Sequence, residues 1–170
     1  MADDGLSLEL DTNDIEELAR KFPKFEQIIF REMDAAMRGS LEVFKAEVVG
    51  RTPVNLGLLR QSIQAVTRGQ PPHFEGEVST PLVYGEPVER GRKPGRMPPV
   101  DNIEMWVQRK LGQTGSEARS TAFLIARAIG RRGTKGAFMF RDGFEAGKPA
   151  VEKLWRNVAS RAADKIEAAI

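Results

Sequence analysis

Phe25, Ile29, Met33, Met37, Leu41, Phe44 and Val48 recur at intervals of three or four residues. That spacing puts all of them on one face of an α-helix. Pro23 suits the first turn, where its missing N–H has no partner to lose. The face predicts a helix running to about Val49, with Gly50 as the stop and Pro53 behind it. About 25 residues make a rod of roughly 37 Å. A helix so long crosses its whole domain or projects beyond it. Its apolar face needs a sheet, another helix or a neighbouring subunit as cover. Gly39-Ser40 is the expected place for a bend.

Shorter signals surround this helix. Asp14 with Glu17 resembles a capping box, followed by an amphipathic turn through Ile15, Leu18, Ala19 and Phe22. Thr52, before a proline, is expected to be extended, and Asn55 and Gly57 favour a turn. Residues 62–68 alternate as a half-buried strand does, Gly69 to Pro72 breaks the run, and Glu75 to Ser79 predicts an antiparallel partner. Pro81 to Val88 reads as a third strand or a single turn around Tyr84-Gly85. Residues 90–99 hold too many prolines, glycines and cations for regular structure and predict an exposed loop.

Asp101 and Glu104 form a second capping-box pattern ahead of a helix that shows Ile103, Trp106, Val107 and Leu111 and ends at Gly112. Thr114 with Glu117 starts another, bearing Ala118, Ala122, Ile125 and Ile129 and stopped by Gly130. Phe138-Met139-Phe140 reads as a short strand or an extended anchor. Pro149 is expected to open a last amphipathic helix through Val151, Leu154, Trp155, Val158, Ala162 and Ile166. The expected class is α+β: a long N-terminal helix packed with a small antiparallel sheet, plus further helices including an amphipathic C-terminal one. Residues 1–13 are expected to form an acidic arm and residues 14–170 a single domain.

Composition narrows the chemistry. The chain has no cysteine and one histidine. Disulfides, thiolate nucleophiles, cysteine zinc sites and iron–sulfur clusters are therefore excluded. A triad or imidazole metal site would need His73, which lies in an expected turn between Pro72 and Phe74 with no carboxylate pattern beside it. The stretch Gly130-Arg-Arg-Gly-Thr-Lys-Gly136 places Thr before Lys and follows a helix, the reverse of a phosphate-binding loop. These absences make an enzyme, a bound metal or a cofactor an unsupported reading. No apolar run approaches the roughly 20 residues of a membrane span, and the acidic start lacks the order of a signal peptide.

Charge is unevenly distributed. Residues 1–19 carry Asp3, Asp4, Glu9, Asp11, Asp14, Glu16 and Glu17 and no Lys or Arg. Residues 88–141 carry Arg90, Arg92, Lys93, Arg96, Arg109, Lys110, Arg119, Arg127, Arg131, Arg132, Lys135 and Arg141 against Glu89, Asp101, Glu104 and Glu117. The net charge of +2 conceals this polarity. Such asymmetry suggests contact with an anion or head-to-tail contact between copies.

Four segments then add up to a pattern. Thr52-Pro53-Val54-Asn55-x-Gly57-x-Leu59-Arg60-x-Ser62-Ile63 resembles the Thr-Pro-Val-Asp-x-Gly-x-Leu-Arg-x-Ser-Ile segment of a minor tail, or neck, protein family of tailed bacteriophages. Tyr84-Gly85-Glu86-Pro87-Val88-Glu89-Arg90-Gly91 is similar to that family's Tyr-Ala-x-x-Val-Glu-x-Gly stretch. Arg96-Met97-Pro98-Pro99 sits where the family has a proline-containing stretch. Residues 125–135 with Phe138-x-Phe140-Arg141-Asp142-Gly143-Phe144 resemble its C-terminal block. Asn55 stands where Asp is usual, and Gly85 where Ala is common.

The resemblance implies a structural virion protein, assembled in the host cytoplasm, not an enzyme. It implies a homo-oligomeric ring, a hexamer or dodecamer, at the head–tail junction or top of the tail. Its neighbours would be connector, tail terminator or tail tube proteins, with double-stranded DNA passing through the channel unread. Arg90, Arg92, Lys93, Arg96, Met97, Arg131, Arg132, Lys135, Phe138 and Phe140 become the candidate interface residues. The alternative is a basic DNA-binding accessory protein using residues 88–141, whose binding would fall steeply with salt.

Overall fold

The computed structural model describes Leu8, residues 13–21 and residues 23–168. Apart from Leu8 and Asn13, the expected acidic arm lies outside these residues, as do Phe22 and the side chain of Asp14. The chain is α+β. Its helices are α1 (Asn13–Lys21), α2 (Glu26–Arg51), α3 (Leu58–Ser62), α4 (Gly85–Arg90), α5 (Val100–Leu111), α6 (Gly115–Arg132), α7 (Met139–Arg156) and α8 (Val158–Glu167). Strands β1 (Gln64–Gln70) and β2 (His73–Ser79) form one antiparallel pair, and β3 (Gly91–Arg92) and β4 (Thr134–Lys135) another. Two compact units result. The first draws on Met1–Thr52, Arg60–Pro81 and Met139–Ile170, the second on Pro53–Leu59 and Leu82–Phe138.

The first unit is built on α2, which the apolar repeat correctly placed. Ile29, Met33, Ala36, Leu41 and Val48 are buried along it. Helices α7 and α8 and the β1–β2 hairpin cover that face, and Val151, Trp155, Val158, Ala162 and Ile166 complete the core with Ile15 of α1. Two glycines four residues apart let α7 lie directly on α2. A Cβ at Gly143 would stand 2.9 Å from the Val48 nitrogen, and one at Gly147 would stand 2.7 Å from the Phe44 ring. Beside them the Phe44 and Phe144 rings stack with centroids 4.8 Å apart. The hairpin lies close as well, because Gly76 presents no side chain to Met37 and Leu41.

Local stop signals misplaced several ends. Helix α2 passes through Gly50 and stops at Thr52, whose ψ of 123° is the extended conformation that a following proline demands. Thr52 closes the helix, its Oγ1 donating to the Val48 carbonyl at 2.7 Å. The Arg60 guanidinium then donates to the Thr52 carbonyl at 3.0 Å, and Ser62 and Thr80 share a 2.7 Å hydroxyl contact. Thr52, Arg60 and Ser62 thus tie the turn from helix to hairpin together. Gly39 and Ser40 lie within the continuous helix. Gly39 lets Leu154 approach to 3.3 Å of where a Cβ would be, and Ser40 accepts from the Trp155 indole at 3.0 Å.

Proline 149 does not open a helix. It sits inside α7, which starts ten residues earlier at Met139, and α8 follows after Asn157. Pro149 and Glu145 both lie on the exposed side of the helix, where the lost backbone bond costs least. Nor is Phe138-Met139-Phe140 a strand. Met139 is fully buried at the start of α7, and Phe138 turns the chain with φ 51°. Pro81 to Val88 holds a turn, with Gly85 N–H donating to Leu82 O, and then α4. Strand β1 runs on through Gly69, whose φ of 82° only glycine adopts without strain.

A buried carboxylate ties α2 to α8. Glu32 is 7% exposed and takes hydrogen bonds from Lys165 and, at 3.1 Å, from Arg161. The Lys165 bond first, then the charges of both cations, hold its carboxyl below the ordinary range against the opposing effect of burial. A depressed folded-state pKa stabilises above the unfolded-state value, and the contribution is lost as pH falls through the folded one. Glu32→Gln is expected to cost about 1–2 kcal/mol at pH 7. In urea titrations the gap between variant and parent should close on acidification below the ordinary glutamate range. A gap independent of pH would refute this role.

The second unit has its own core. Val107 of α5 packs on Ala118 and Ala122 of α6, with Val100, Ile103, Trp106 and Ile125 around them. The alanines recur every fourth residue and keep the two helices close. Helix α6 starts directly after Thr114, as expected, but the capping box expected at Asp101 and Glu104 does not form. The N-cap residues Pro99 and Thr114 make no side-chain cap bond. Asp101 and Glu104 instead both bind Arg119, and Glu117 accepts from Gln113. The Glu104 bond first, then Asp101, raises the Arg119 guanidinium above its ordinary value. Helix α6 also runs through Gly130, ending where Gly133 takes φ 73°.

Candidate functional site

The expected loop 90–99 and the basic segment 131–136 are one structure. In β3–β4, Gly91 faces Lys135 and Arg92 faces Thr134. The pairing extends both ways. Ala137 and Phe138 N–H donate to Val88 O (2.8 Å) and Glu89 O (3.0 Å), and Gly95 N–H donates to Gly130 O (2.8 Å). Arg92 N–H reaches Thr134 Oγ1 at 3.1 Å, and the Arg92 guanidinium folds back onto the Arg96 carbonyl at 3.1 Å. Residues 88–97 are thereby laced to residues 129–138.

Glycine makes this lacing possible. A Cβ on Gly133 would fall 2.0 Å from the Arg92 carbonyl oxygen, one on Gly91 2.3 Å from Thr134 O, and one on Gly136 2.3 Å from Glu89 O. Backbone occupies that space, so no side-chain rotation can relieve the clash. Gly133 and Gly91 also have positive φ, at 73° and 81°. Gly133→Ala should therefore open the ladder while leaving both helical cores intact. Amide exchange at Gly95, Ala137 and Phe138 is expected to speed up roughly ten- to a hundredfold, as 1–3 kcal/mol of local strain implies. Unchanged protection there would contradict the glycine requirement.

The ladder gathers charge. Arg90, Arg92, Lys93, Arg96, Arg131, Arg132 and Lys135 are all exposed on these two segments. Among the described residues none of them forms an ion pair. Elsewhere Arg38, Arg51, Arg68, Arg119, Arg141 and Arg161 do pair with a carboxylate. A cluster of exposed cations that form no ion pair creates a positive field that an anionic surface would neutralise.

The same unit is unusually apolar outside. Val54, Leu56, Leu58, Val83, Tyr84, Met97, Met105, Leu111, Phe123 and Leu124 are exposed there, against Val66 alone in the first unit among the described residues. Val83 is 94% exposed. A recess of about 420 Å³ lies among Val100, Arg119, Ser120, Phe123 and Leu124. A second, of about 340 Å³, lies in the first unit among Ile15, Arg20, Pro23, Glu26, Phe30, Met33 and Pro72. His73 lines neither recess; it pairs with Gln70 at the hairpin end.

Of the ten residues singled out from sequence, nine fall on or beside the ladder: Arg90, Arg92, Lys93, Arg96, Met97, Arg131, Arg132, Lys135 and Phe138. Phe140 does not, being part of α7 in the first unit. Sequence reasoning missed Gly91, Gly133 and Gly136, which hold the cations in place. Their signal was present as glycines interrupting two basic runs, but a two-residue strand has no periodicity to announce its partner. No protein-family model matches the chain, and no curated protein or solved structure matches it.

Proposed function

We propose that the protein is a structural subunit of a tailed-phage neck or upper tail, assembling as a ring at the head–tail junction. In that place it would complete the tail or join it to the head around the DNA channel. The observation that carries the reading is the surface of the second unit, which combines cations without an ion pair on a glycine-held ladder with exposed apolar side chains elsewhere on the unit. Such a surface suits protein–protein contact, since exposed apolar groups in number mark interfaces. The order of the four family-like segments supports the phage assignment. A ring needs a heterologous interface, one patch meeting a different patch on the next copy. The acidic head and cationic middle supply two such patches.

Native mass spectrometry with and without connector and tail tube proteins tests this. Association with either, or a closed homo-oligomer, is expected. A chain that stays monomeric in every mixture overturns the proposal. The unpaired cations also favour a second reading, a DNA-binding accessory protein. That reading requires retardation of duplex DNA at low salt, lost steeply as salt rises.

A further inference from the structure

We propose that the cationic ladder receives the acidic segment at the start of a second copy of this chain. The inference rests on the ring reading and names its contact. Residues 1–19 hold acids and no cation, while the seven cations of the ladder form no ion pair among the described residues. Glu17 is already paired with Lys21, which leaves the acids before it for the opposite block, and the net charge of the whole chain is only +2. A dedicated polyanion binder would retain a larger positive excess, so a partner from the same chain balances the charge better than DNA.

Geometry supports the assignment. Leu8, which lies within the acidic stretch of sequence, packs on the core of the first unit, whereas the ladder belongs to the second unit. Attachment to one unit and reception by the other is the head-to-tail relation that a heterologous ring repeats. The glycine contacts fix the backbone beneath the cations before any partner arrives. Single exposed ion pairs contribute little. Several on a preorganised backbone act together, because less ordering entropy is lost on binding.

Charge reversal tests this directly, with self-association followed by analytical ultracentrifugation at low and high salt. One variant carries Lys93→Glu, Arg132→Glu and Lys135→Glu, leaving the ladder's backbone bonds in place. The other carries Asp3→Lys, Asp4→Lys, Glu9→Lys and Asp11→Lys. Circular dichroism and melting should match the parent for both. Each variant alone should self-associate about tenfold or more weakly than the parent, because like charges now face each other. An equal mixture should recover association, since each reversed block meets an opposite one.

Parental association by the ladder variant, or no recovery in the mixture, overturns the contact. So does a parent that is monomeric under all conditions, whether its charges pair within one chain or not at all. In that event the neck reading is judged separately, by binding to connector or tail tube proteins. Loss of duplex DNA retardation in the ladder variant, with self-association unchanged, would assign the ladder to DNA instead.

Discussion

Trp155→Ala should be the most destabilising single substitution in the first unit, by about 3–5 kcal/mol. Trp155 is 7% exposed and joins three elements. Its ring sits on α7, its indole N–H donates to Ser40 of α2 at 3.0 Å, and Phe74 of β2 lies 6.0 Å away between centroids. Ser40 in turn donates to the Ala36 carbonyl at 2.7 Å, so the buried polar chain is satisfied from end to end. Alanine removes the apolar body and the donor together. Trp155→Phe keeps most of the packing and should cost about 1–2 kcal/mol for the lost bond and the smaller ring. Urea titration followed by far-ultraviolet circular dichroism measures both. A loss under about 1 kcal/mol for the alanine variant would show that the three elements do not depend on this residue.

Gly143→Val should come next, at about 3 kcal/mol or more, and its size depends on a backbone contact. The new Cβ would stand 2.9 Å from the Val48 nitrogen and 3.0 Å from its Cα. Helices α2 and α7 would have to separate, weakening the Phe44–Phe144 stack and the neighbouring contact at Gly147. Even Gly143→Ala should destabilise, although alanine is the better helix former by about 1 kcal/mol. Gly50→Ala is the control. It lies in the partner helix α2, nothing stands within 4 Å of its would-be Cβ, and alanine there should gain roughly 0.5–1 kcal/mol. Opposite signs for one substitution at two helical glycines would separate packing from propensity. The protein's two tryptophans help, since Trp155 reports on the first unit and Trp106 on the second.

Much of this architecture is legible locally. The repeat from Phe25 to Val48 specifies a helix face whatever covers it, because 3.6-residue periodicity belongs to the segment alone. The Ile103-to-Leu111 face and the alanines of α6 are legible for the same reason. The hairpin is legible from its turn and strand-forming residues, but the half-buried alternation expected over 62–68 does not appear: Ser62 ends α3, and β1 is exposed except at Ala65. The misread positions share a different property. Gly50 and Gly130 resemble stops, but a glycine ends a helix only where the chain must leave it. That happens at Thr52 because of Pro53, and at Gly133 because of the ladder. Pro149 resembles a start, yet packing of Gly143 and Gly147 on α2 carries the helix through it. Asp101 and Glu104 resemble a cap, but Arg119, from the next helix, attracts both.

The candidate site divides the same way. Sequence alone determined the α+β class, the long apolar helix and the separation of an acidic head from a basic middle, since each is a property of neighbouring residues. Tertiary structure decided that residues 88–97 and 129–138 meet, that seven cations there form no ion pair among the described residues, and that three glycines let the backbone beneath them close up. Two-residue strands carry no period, and a glycine's need for a bare Cα becomes visible only once another backbone lies against it.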